Sequence, residues 1–63
     1  MAANLDTTRV IDELEAVLVA GDQPNRCEEA IAILWRWQWD GDLNELSRRR
    51  AGTLVRRYQH AFI

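Results

Sequence analysis

The segment from Arg26 to Trp39 constrains this chain more than any other. Read as a helix at 100° per residue, it places Cys27, Ala30, Ile31 and Leu34 on one narrow apolar face. Ile33 and Trp37 widen that face on one side, and Trp35 and Trp39 widen it on the other. The apolar arc is then roughly 240° wide, against the ~100° of an ordinary surface helix. A helix that is apolar on most sides needs neighbours on most sides. The run Trp35-Arg36-Trp37-Gln38-Trp39 also alternates as a strand would. A strand here would have no second strand to pair with, so the helical reading stands.

Two further helical segments flank this one, so the expected class is all-α. The first is expected over about residues 8–20, with Val10, Ile11, Leu14, Val17 and Leu18 on a stripe of roughly 120°. Asp6 or Thr7 is its expected N-cap, and Gly21 its C-terminal stop, because glycine takes positive φ without a steric cost. Gly21-Asp22-Gln23-Pro24-Asn25 reads as a turn. Asn25 with Glu28 has capping-box spacing, and Asp22 with Pro24 in the first turn is the alternative start for the middle helix, expected over about residues 26–39. Asp40-Gly41-Asp42 reads as the second turn, with Asp42 capping a third helix over about residues 43–61. The core stripe expected of that helix is Leu43, Leu46, Ala51, Leu54, Val55, Tyr58, Ala61 and Phe62, with Gly52 on the opposite face. These segments imply a single helical domain, residues 1–63, built as a three-helix bundle or as a helical hairpin with a third arm.

Size sharpens the point about neighbours. Sixty-three residues fold into one small domain at most, and such domains usually need a disulfide, a metal or a partner to be stable. Cys27 is the one cysteine, so no internal disulfide forms, and with one histidine the metal ligands are scarce. A second subunit is the remaining support, so a homodimer is expected. The lone cysteine fits a reducing compartment, Met1 to Asp6 lack a signal-peptide pattern, and no run of about 18 apolar residues offers a membrane span. A cytoplasmic location is the expectation.

Charge is segregated along the chain. Lysine is absent; all eight basic residues are arginines. Residues 1–45 hold all ten acids and three arginines, and residues 46–63 hold Arg48, Arg49, Arg50, Arg56 and Arg57 and no acid. Without lysine there is no Schiff-base chemistry and no phosphate loop ending in Gly-Lys-Ser/Thr. Arginine does suit bidentate pairing with carboxylates or phosphates. On a helical wheel Arg49, Arg56 and His60 share one flank of the third helix, Arg50 and Arg57 lie between them and the core, and Arg48 points the other way. Pairing of these arginines with Asp12, Glu13, Glu15 or Glu28 is the structural alternative to a binding role.

Three tryptophans in five residues mark the other candidate surface. Trp37 and Trp39 project about 160° apart on a helix, so both cannot face one small interior. Tryptophan is enriched at interface hot spots. Other chemistries fare worse. Asp40-Gly41-Asp42-Leu43-Asn44 copies the start of a calcium loop, but Glu45 stands where glycine is needed and Ala51 where the bidentate glutamate belongs, so a capping turn is expected. Cys27 lies on the apolar face, where a thiol behaves as a small hydrophobe. Ser47 and His60 would be ~20 Å apart on a continuous helix, too far for a nucleophile and its base. No catalytic residues, metal or cofactor are therefore expected, and the chain is read as a non-enzyme. The functional expectation is a small protein-interaction module, of the adaptor, chaperone or inhibitor and anti-activator kind. It would bind an acidic or apolar surface through Trp35, Trp37, Trp39, Arg49, Arg56 and Arg57. The alternatives are a dimeric nucleic-acid-binding regulator using the basic helix, disfavoured by the pI of about 5.2, and a structural subunit of a larger assembly.

Overall fold

The structure, a computed structural model, describes the backbone of residues 2–62 and the side chains of residues 6–61. It contains three helices, α1 (Ala2–Ala20), α2 (Pro24–Trp37) and α3 (Glu45–Phe62), and no strand among the described residues. Every pair of helices is in contact, most extensively α2 with α3, so the arrangement is a three-helix bundle and not a hairpin with a free arm. The radius of gyration, 11.1 Å, is close to the ~10.6 Å expected of a compact chain of this length.

Each terminus of α2 is made by local chemistry. Gly21 sits at φ 63° and its N–H donates to the Val17 carbonyl at 3.1 Å, which ends α1 as the sequence implies. Pro24 then opens α2 at the position where a missing N–H costs nothing. At the far end the helix tightens: the Trp39 N–H reaches the Arg36 carbonyl (3.2 Å) and the Asp40 N–H the Trp37 carbonyl (3.1 Å), both three residues back. The connection to α3 is held by two side-chain acceptors. Asp40 Oδ1 accepts from the Asp42 N–H at 2.9 Å, and Asn44 Oδ1 accepts from the Ser47 N–H at 2.7 Å, making Asn44 the N-cap of α3.

These details correct several expectations. α1 starts at Ala2, not near residue 8, so Asp6 and Thr7 lie inside the helix and do not cap it; no glycine or proline interrupts residues 2–7. α2 starts with Gln23 in the cap position and no side-chain cap, so neither Asn25 nor Asp22 plays that part. It ends at Trp37, not Trp39, because of the three-residue tightening. α3 starts at Glu45, not residue 43, because Asp40 already holds the Asp42 N–H and Asn44 supplies the cap.

The core comprises Ile11, Leu18, Cys27, Ala30, Ile31, Leu34, Ala51, Leu54 and Val55, with Leu14, Val17, Trp37 and Tyr58 packed on its edge. The narrow face expected of α2 is thus buried as read. The Cys27 thiol, fully enclosed, donates to the Val17 carbonyl at 3.5 Å and acts as a core residue with a local hydrogen bond. The face of α3 is turned from its expected position. Leu46 is 75% exposed and Ala61 is exposed, while Ser47 and Gly52 are buried; the side chain of Phe62 lies outside the described residues. Close approach is seen at Gly52, which brings no side chain against Gln38 just past the end of α2, and the small Ser47 and Ala51 are buried on the same face. A Cβ on Gly52 would stand 3.0 Å from Gln38 Oε1. Gly52 therefore faces a neighbouring helix and not the opposite side.

Candidate interaction groove

Close approach at Gly52 shapes the surface just outside it. Where the end of α2 meets the first half of α3, an open groove of about 490 Å³ is lined by Gln38, Trp39, Glu45, Arg48, Arg49, Gly52 and Arg56. Its wall on the α2 side is Trp39, 73% exposed, which stands edge-to-face on Trp35 with ring centroids 6.4 Å apart and planes at 78°. That geometry is the favoured one for two aromatic quadrupoles. It comes from the four-residue spacing of the two tryptophans, kept because the chain after Trp37 still turns as a tightened helix. Trp35 is half exposed and braces the groove wall from behind.

The opposite wall is α3. Arg48, Arg49 and Arg56 line it, with Glu45 one turn before Arg49. Glu45 and Arg49 form an ion pair between side chains 69% and 67% exposed. The Thr53 hydroxyl donates to the Arg49 carbonyl (3.0 Å) and accepts from Arg56 Nη2 at 3.4 Å, which holds Arg56 along the helix. Beneath them lies Gln38. Its side-chain Nε2 is buried and has no hydrogen-bond acceptor among the described residues. With three arginines and one glutamate, the groove carries a net charge of +2.

The structure thus brings Trp39, Arg49 and Arg56 together, with Trp35 behind them. It separates the other two candidate residues from this group. Trp37 is half-buried against the core and contributes to packing. Arg57 is exposed on the other flank of α3. Arg48, expected to point elsewhere, lines the groove, because the buried face of α3 is turned toward Ser47 and Gly52. The sequence carried a signal for Arg48 and Gln38 only in hindsight: it is the small-residue run at Ser47, Ala51 and Gly52.

Arg50 has a different task. Its guanidinium reaches Asp12 at 2.5 Å and Glu15 at 2.7 Å, both on α1. The hydrogen bond that Arg50 donates to Glu15 is the main cause holding its pKa above the ordinary arginine value, and Asp12 adds to it against the opposing effect of partial burial. Arg50 therefore clamps α3 to α1, one of the pairings the sequence allowed. The turn at Asp40 to Asn44 likewise spends its oxygens on backbone N–H groups, and no group of three or more potential ligands capable of holding a metal occurs among the described residues. No helix among them is long and apolar enough to cross a membrane. Comparison with protein families, with curated proteins and with solved structures finds no match.

Proposed function

We propose that this protein is a small non-enzymatic interaction module that binds an acidic segment of another protein in the groove between α2 and α3. The observation that carries the reading is the juxtaposition of an exposed, braced tryptophan with three arginines on one concave surface. Tryptophan supplies a large rigid contact area at small entropic cost, and arginines around it orient an acidic partner and speed its approach. Of the residues singled out in the sequence, Trp35, Trp39, Arg49 and Arg56 belong to this surface, and Arg48 joins them. The roles of adaptor, chaperone and inhibitor all rest on such a surface.

A protein partner is preferred over nucleic acid because the arginines surround one exposed indole instead of forming a long basic face, and the chain's pI of about 5.2 is far from the strongly basic balance usual in nucleic-acid-binding domains. Self-association belongs to the same reading: a chain this short, with no disulfide to draw on, gains from pairing. The test is a pull-down from the native cell with the wild-type chain, Trp39→Ala and the double variant Arg49→Glu/Arg56→Glu. Proteins recovered by the wild type and lost by both variants are the expected result. Identical recovery by all three removes the groove as the binding site, and tight binding of duplex DNA at moderate salt would favour the regulator instead.

A further inference from the structure

The ion pair between Glu45 and Arg49 lies inside the proposed groove, and its character differs from that of the other arginine clamp in the molecule. Arg50 is bound by two carboxylates from another helix, at 2.5 and 2.7 Å, and its side chain is only 35% exposed. Arg49 is bound by one carboxylate of its own helix, with both partners about two-thirds exposed. A glutamate four residues before an arginine pairs spontaneously on any helix surface, and breaking the pair leaves tertiary packing intact. The pair also shows a carboxylate held on Arg49, in a groove whose lining Arg48 and Arg56 share.

We propose that the groove is a carboxylate-exchange site, in which Glu45 occupies Arg49 in the free protein and an aspartate or glutamate of the partner displaces it, while an adjoining apolar side chain of the partner lies on Trp39. This inference rests on the protein-binding reading above and names the chemistry of the segment bound. The partner's carboxylate takes the guanidinium of Arg49 and is reached by those of Arg48 and Arg56, so the displaced Glu45 returns to water at little cost. The exposed indole face of Trp39, 73% accessible, covers the neighbouring apolar side chain. A short acidic motif with an interleaved leucine or aromatic residue matches both features. Glu45 then sets specificity: it lowers the affinity for every anion, and only a ligand that also covers Trp39 recovers the loss.

The experiment is fluorescence anisotropy with three short labelled peptides, one of glutamates interleaved with two leucines, one with glutamines in place of the glutamates, and one with phosphoserines in their place. Wild type, Glu45→Gln, Arg49→Ala and Trp39→Ala are compared, each checked by circular dichroism. The glutamate peptide is expected to bind wild type, to bind Glu45→Gln about two- to fivefold more tightly at low salt, and to be lost from Arg49→Ala and Trp39→Ala. If neither wild type nor Glu45→Gln binds that peptide, the protein-binding reading falls along with the exchange site. Binding to wild type with no gain in Glu45→Gln overturns the exchange alone. Equal binding of the glutamine peptide, or tighter binding of the phosphoserine peptide, overturns the assignment to a carboxylate.

Discussion

At the scale of single residues, Gly52 shows how packing and function are tied in this molecule. It lies in the interior of α3, where alanine would be favoured by up to ~1 kcal/mol through backbone entropy. A methyl there meets Gln38 Oε1 at 3.0 Å and Arg56 Nη1 at 3.4 Å. Both are ends of flexible side chains, so they yield, but they yield into the groove. Gly52→Ala is therefore expected to raise the melting temperature by a few degrees and to weaken binding of the acidic ligand; thermal unfolding and anisotropy on the same sample check the two signs. A melting temperature that falls would mean that Gln38 has nowhere to go. Arg50 gives the opposite case, a charge committed to the fold. Arg50→Ala removes a partly exposed bridge to Asp12 and Glu15 and is expected to cost about 1 kcal/mol after solvent screening, or roughly 4–8 °C in a domain this small. Because its raised pKa lies far above neutrality, the stability gained from its charge is present at all ordinary pH values and fades only as strongly alkaline pH carries it through that pKa. Salt is the practical probe: the difference between wild type and Arg50→Ala should shrink at high ionic strength.

At the scale of elements, α2 was the most legible part of the sequence and α3 the least. The face Cys27, Ala30, Ile31 and Leu34 follows from spacing alone, whereas the exposed surface expected of all three tryptophans holds for Trp35 and Trp39 and not for Trp37, which packs against the core. Leu46 misled because apolarity was weighed without regard to size. A leucine at the start of α3 adds surface, but the buried face there is made by the small Ser47, Ala51 and Gly52, and the leucine is left in solvent at 75% exposure. The caps failed for a related reason. Asp40, Asp42 and Asn44 are all capable acceptors, and only the path of the loop decides which N–H each one meets. Asn44→Ala is expected to destabilise the protein by about 1 kcal/mol through the orphaned Ser47 N–H, whereas Asp42→Ala should be nearly silent. Denaturant titration distinguishes them, and equal effects would show that Asp42 shares the capping. The groove was half legible: Trp39, Arg49 and Arg56 could be picked from the sequence, but the place of Arg48 and the removal of Trp37 and Arg57 depended on how the helices are turned.

At the scale of the whole molecule, the question is how 63 residues sustain a stable fold while leaving Trp35, Trp39, Leu46 and Val19 exposed. Among the described residues the core holds nine buried apolar side chains, three of them no larger than cysteine, and no disulfide supports it. Small domains of this kind bury only about 60% of the surface of the unfolded chain. Pairing of two copies supplies burial that a single chain lacks, and it couples stability to concentration by mass action. Sedimentation at tens of micromolar is accordingly expected to give twice the 7.3 kDa mass of the chain, and the melting temperature should rise with protein concentration. Leu46→Ser and Trp39→Ala then locate the contact. Leu46 lies outside the groove, so loss of the dimer in Leu46→Ser with the groove still binding acidic peptide would place self-association on the other flank of α3 and leave the tryptophan wall free for a partner. Loss of the dimer in Trp39→Ala instead would put the second copy in the groove, where it competes with any acidic ligand. A concentration-independent melting temperature together with a 7.3 kDa species would establish that three short helices and the Arg50 clamp suffice alone, and would leave the exposed tryptophans with binding as their remaining physical role.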